Sequence, residues 1–150
     1  EVIKQWPDKY RNRASVQYII GANTNEWDLN YILRECANSG LRITLLGYKT
    51  TGRGKAFGEK PSSKWLNIVR DVCKEKYLRV GIDTVLADKH WDDLIKVGVP
   101  SYCMTRYEGK YSCYIDAVNN TIGPSSYCAV EKMVTLPKDV EAFEQVFKGF

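Results

Sequence analysis

The stretch LRITLLGYKTTGRGK, residues 41–55, opens as a strand and closes as a basic, glycine-rich loop. Residues 42–47 are dense in aliphatic and β-branched side chains, the composition of a strand. An apolar run such as Ile43-Thr44-Leu45-Leu46 predicts a strand covered on both faces, the usual state in a parallel sheet. The loop that follows then lies at the carboxyl end of a parallel strand, where open α/β sheets and barrels hold their ligands.

The same rhythm extends to either side. Residues 15–20 (SVQYII) predict a strand, and the turn GANTN at 21–25 offers Thr24 or Asn25 as a helix cap. From about 26 to 38, Trp27, Leu29, Ile32, Leu33 and Cys36 recur at helical spacing, and Ser39-Gly40 ends that helix. Beyond the loop, Pro61-Ser62-Ser63 opens a helix to about 76 with Trp65, Ile68, Val69, Val72 and Cys73 on one face. Residues 78–82 predict a third strand, and residues 88–97, capped by Asp88, a third helix with Trp91, Leu94 and Ile95.

Strand and helix in alternation predict an α/β fold with parallel strands joined by right-handed crossovers. Three βα units are too few for an eight-stranded barrel, so the expected architecture is a partial, barrel-like parallel sheet. Its unpaired edge calls for a neighbour, either a protein partner or a second copy of the chain. After Pro100 the rhythm changes. Residues 111–117 and 121–122 flank Val118-Asn119-Asn120, a hairpin signal with asparagines suited to positive φ. Pro137-Lys138-Asp139 starts a last amphipathic helix with Val140, Phe143, Val146 and Phe147. One domain is expected over 1–150, with half-barrel units in 1–100 and the hairpin and C-terminal helix in 101–150.

Hydrophobic residues make up 44% of the 150, which suits a packed core rather than a disordered chain. No apolar run approaches membrane-spanning length and the first residues do not read as a secretory leader, so no membrane association is expected. The net charge of +4 permits a basic patch without demanding nucleic acid. Five cysteines, an odd number with no C-x-x-C, favour a reducing cytoplasm over a disulfide scaffold.

The loop carries Lys49, Arg53 and Lys55, cations that favour a carboxylate or phosphate, between glycines that let backbone approach a ligand. It is not a nucleotide-binding P-loop. With Gly47 and Gly52 as the spaced glycines, Arg53 takes the lysine position; with Gly54-Lys55 as the dipeptide, position 56 is Ala. No G-x-G-x-x-G opens a helix either.

The segments VQYIIGANT, ITLLGYKTTGRG and VGID, with the tail YSCYIDAVNNTIGPSSYC, resemble the second half of the barrel in radical S-adenosylmethionine (SAM) proteins. That resemblance spans residues 15–128 and implies SAM-facing positions at Asn23 and Thr24, along Tyr48, Lys49, Thr50, Gly52, Arg53 and Gly54, and at Asp83. It also implies that Cys103, Cys113 and Cys128 are candidates for a metal or auxiliary cluster. The family's N-terminal C-x-x-x-C-x-x-C, which holds the [4Fe–4S] cluster that cleaves SAM, is not in this chain. No cofactor is therefore expected in the chain alone; SAM and [4Fe–4S] belong to the reading in which it is part of a larger enzyme.

Other candidates have plainer roles beside them. Asp88, His90, Asp92 and Asp93 in ADKHWDD could serve acid–base chemistry, but a cap and an Asp92–Lys96 helix pair account for them. Arg106, Tyr107, Tyr111 and Tyr114 are residues of the kind found at interface hot spots or under stacked bases, or else simply cover a hairpin. The expected function is a non-catalytic binding protein on a truncated radical-SAM-like half barrel, of a size that suits an inhibitor from a phage or mobile element. It docks a protein partner through the open sheet edge, or nucleic acid through the basic loop. The alternative is the C-terminal fragment of a radical SAM enzyme, marked by a reading frame that runs upstream of Glu1 into the cluster motif.

Overall fold

Ser15–Ile20, Arg42–Gly47 and Arg79–Ile82 form β1, β2 and β3 of one parallel sheet in the order β1-β2-β3. Ser15 pairs with Arg42 and Arg42 with Arg79, so the three strands start in one row. The structure is a computed structural model that describes residues 5, 7–11, 13–22, 25–50, 52–60, 62, 64–75 and 77–150. The chain divides into two compact units, Glu1–Arg106 and Tyr107–Phe150.

In the first unit, α1 (Asp8–Arg11) precedes the sheet, and α2 (Glu26–Ser39), α3 (Lys64–Glu75) and α4 (Thr84–Lys96) alternate with its strands. Asn25 caps α2 by accepting from the Asp28 N–H at 2.8 Å, and Gly40 ends it in the left-handed conformation at φ 64°. The core joins Leu29, Leu33 and Cys36 of α2 to Val69 and Val72 of α3, Leu86 and Leu94 of α4, and Ile20, Ile43, Leu45, Val80 and Ile82 of the sheet.

Four expectations are corrected here. The sheet is not covered on both faces: Ile43, Leu45, Val80 and Ile82 are buried, while on the opposite face Gln17 and Ile19 are exposed and Thr44 and Leu46 partly so. The strands alternate because α2, α3 and α4 supply a single covering layer. Trp27 leaves the buried stripe and is 70% exposed, stacked on Tyr31 with ring centroids 5.5 Å apart. It lies two residues before Leu29, and helix positions two apart do not share a face. The third helix begins at Thr84 and is capped by Asp83 rather than Asp88; non-helical backbone at His90 kinks it near the predicted start. Among the described residues Asp92 and Lys96 form no ion pair, and Asp93 lies 3.9 Å from His90 Nδ1 instead.

The outer edge of β3 is also less open than the sequence predicts. A 3-10 turn at Ser101–Cys103 brings Met104 alongside Ile82 in a parallel bridge, the beginning of a fourth strand position. Among the described residues no strand pairs with the outer edge of β1. No helix in them is long and apolar enough to cross a membrane.

The second unit is a small antiparallel sheet, β4 (Tyr114–Asp116), β5 (Thr121–Gly123) and β6 (Val134–Thr135), followed by α5 (Val140–Lys148). Ile122 is fully buried in it, and Asp139 caps α5 through the Ala142 N–H at 2.8 Å. The hairpin turn is held by Asp116, which accepts from the N–H groups of Asn119 and Val118, each at 3.0 Å, and from Asn119 Nδ2 at 2.8 Å. Asn120 completes it at φ 52°.

Those bonds, the Asn119 N–H first, hold the Asp116 carboxyl below the usual aspartate range. A depressed carboxylate stabilises the turn above its unfolded value, about 3.9, and that contribution disappears as pH falls through the folded value. A carbon-detected NMR titration should therefore place the Asp116 midpoint below about 3.9, with the Val118 and Asn119 amides shifting in parallel. A midpoint at or above that value would contradict the turn.

Candidate functional site

The carboxyl ends of the three parallel strands are built around Gly47 and Asp83. A Cβ on Gly47 would stand 2.8 Å from both the Leu86 backbone nitrogen and Val85 Cγ1, so the first turn of α4 closes directly on the end of β2. Asp83 bridges the same two elements. Its Oδ1 accepts from the Gly47 N–H at 2.8 Å and the Leu86 N–H at 2.9 Å, while its own N–H donates to the Leu45 carbonyl at 2.9 Å. One carboxylate oxygen thus serves as a helix cap and as the terminal acceptor of β2.

The loop beyond β2 folds back on itself. The Tyr48 hydroxyl donates to the Gly54 carbonyl, and residues Gly52–Ala56 form a 3-10 turn. A Cβ on Gly54 would overlap the Lys49 carbonyl oxygen, so only glycine allows this fold-back. The Phe57 N–H donates to the Gly54 carbonyl at 3.3 Å, and the Lys60 N–H to the Gly21 carbonyl at 2.8 Å. An ion pair from Glu59 to Lys89 ties the loop to α4.

These constraints enclose an open cleft of about 550 Å³, within the range of small-molecule sites. Ile19 and Leu46 from the uncovered sheet face line it, with Tyr48, Lys49, Phe57 and Asp83 around them. Phe57 is 72% exposed at its margin. The described lining is mainly apolar and includes the ammonium group of Lys49, an arrangement suited to an apolar body that carries an anionic group.

Four of the positions picked from the sequence meet here: Tyr48, Lys49, Gly54 and Asp83. Thr50 and Lys55 are exposed outside the lining, and Gly52 and Arg53 contribute backbone to the 3-10 turn. Asn23, Thr24 and the Arg53 side chain lie outside the described residues. Ile19, Leu46 and Phe57 were not anticipated. Ile19 and Leu46 share one face when read at period two, and Phe57 is a lone aromatic in a polar loop.

The tail residues fall in both units. The Arg106 guanidinium lies over the Trp91 ring at 5.3 Å in the first unit. In the second, the Lys110 ammonium stands 5.6 Å from the Tyr107 ring and 5.3 Å from that of Tyr111, and Tyr114 pairs with Gly123 in the hairpin.

All five cysteines are free thiols. Cys36 is fully buried, and burial together with Glu35 pushes its thiol up to about 11. Cys103 and Cys73 pack against the core of the first unit, whereas Cys113 and Cys128 belong to the second, where Cys128 Sγ donates to Met133 Sδ at 3.5 Å. Among the described residues no three His, Cys, Asp or Glu side chains converge as a metal site. His90 sets its ring edge-on to Trp65 at 5.4 Å.

No protein-family model, no curated protein and no solved structure matches the chain.

Proposed function

We propose that this chain is a non-catalytic binding protein built on part of a βα barrel, and that its ligand occupies the cleft at the carboxyl ends of β1, β2 and β3. The observation that carries this reading is the cleft's construction. Gly47, Gly54 and Asp83 fix its walls, and the apolar side chains of Ile19, Leu46 and Phe57 are left facing space. The nearby carboxylates are committed to structure, Asp83 to backbone N–H groups and Glu59 to Lys89. The half-barrel part of the reading rests on the sequential strand order, the fourth parallel position at Met104 and the single helical layer.

The test uses a probe with the required chemistry, 1-anilinonaphthalene-8-sulfonate, a fused aromatic body bearing one anionic group. It should bind the native chain saturably at one site. Phe57→Ala removes an exposed ring, leaves stability unchanged, and should weaken binding about tenfold, near 1.4 kcal/mol. Leu46→Glu, which places a carboxylate in the apolar floor, should weaken it about thirtyfold or more. Binding that is unsaturable, or indifferent to both changes, would remove the cleft from the function.

A further inference from the structure

The opposite end of the same sheet holds a second hollow, of about 570 Å³, that the strand-end cleft does not use. Arg42 and Arg79 are cross-strand neighbours in register on β2 and β3, and both line it. Directly opposite each other on adjacent strands, the two cations concentrate positive charge at this end of the sheet. Two hydroxyls adjoin the arginines on that face, Ser15 Oγ and Thr44 Oγ1, 3.4 Å apart. Gly81 leaves room beside the arginines: a Cβ there would meet only Thr44 Oγ1, at 3.8 Å. At its margin Tyr77 and Tyr102 are 87% and 89% exposed.

We infer that this hollow is a nucleotide site, in which the arginine pair and the two hydroxyls hold a phosphate and the tyrosine rings stack the base. Paired guanidinium groups suit phosphate oxygens through parallel N–H donors. Exposed tyrosines beside a cationic groove are what a base stacks upon. The phosphate belongs either to a free mononucleotide or to a nucleotide within a single strand, and the recognising chemistry is shared. The site stands at the amino end of the strands and does not depend on the cleft at their carboxyl end.

Cys103 and Cys73 line the same hollow, which gives a local readout. The full chain is titrated at low salt with AMP while the iodoacetamide alkylation rate of Cys103 is followed by peptide mass. Inorganic phosphate and a thymidine pentanucleotide form parallel arms. AMP should slow Cys103 alkylation saturably and leave the rates of Cys113 and Cys128 unchanged. Arg42→Gln with Arg79→Gln should raise the half-saturating concentration about tenfold or more. Gly81→Val, which narrows the hollow and spares both arginines, should weaken protection while thermal unfolding stays cooperative. Protection should weaken as salt rises, because the contact is ionic and solvent-accessible. A pentanucleotide effective at lower concentration than AMP assigns the phosphate to a single strand, and the reverse order to a free nucleotide. No saturable protection by AMP or the pentanucleotide, protection unchanged in the double arginine variant, or phosphate as effective as AMP would overturn the inference.

Discussion

Gly47→Ala should lower stability by about 2–3 kcal/mol, the cost of overpacking a site whose neighbours cannot yield cheaply. The new Cβ would press at 2.8 Å on the Leu86 backbone nitrogen, and that nitrogen is fixed by its bond to Asp83. Relief requires α4 to withdraw from the end of β2, which would uncover Leu86 and Ala87, both buried in the core. For a chain of this size the loss should appear as a thermal midpoint lower by roughly 4–12 °C. A change within about 0.5 kcal/mol, ordinary for a surface position, would show that α4 does not close on the strand as described.

Asp83→Ala should cost about 2–4 kcal/mol, from two separable losses. Removing the cap of α4 costs about 1 kcal/mol. The Gly47 N–H then loses its acceptor at a buried position, worth a further 1–3 kcal/mol or so. Asp83→Asn keeps a side-chain oxygen in place and should recover most of the loss, because both bonds need an acceptor rather than a charge. Urea denaturation of the two variants beside the parent separates the outcomes. If Asp83 served only a ligand, Asp83→Ala would leave the midpoint unmoved and reduce probe binding alone.

The division between legible and hidden features follows the range of the interactions. The three strands, the helices that alternate with them and the hairpin turn at Asn120 arise from local pattern and turn chemistry, and apart from the earlier start of α4 each stands near its predicted residues. The loop after β2 could be placed at the strand end because a parallel strand fixes which end its following loop occupies. What the local pattern could not carry was which strand face lacks a cover. A run such as Ile43-Thr44-Leu45-Leu46 reads alike whether one layer of helices or two lies against it.

Longer-range chemistry was hidden more completely. Asp83 reads from sequence as a polar residue at a strand end, and only the fold shows one oxygen joined to the amides of Gly47 and Leu86. Gly54 reads as ligand-approaching, whereas its lack of a side chain chiefly accommodates the Lys49 carbonyl. The arginine row was invisible for the same reason. Arg42 and Arg79 are 37 positions apart, and their adjacency exists only in the register between β2 and β3.

The cleft is tested most directly by an amide chemical-shift map of the nitrogen-15-labelled chain titrated with 1-anilinonaphthalene-8-sulfonate. Saturable shifts concentrated at Ile19, at residues 46–49 and at residues 54–58, with Gly81 and the second unit unmoved, are the predicted result. Shifts centred outside those segments, or no saturable shift at any residue, would contradict a ligand cleft at the carboxyl ends of the strands.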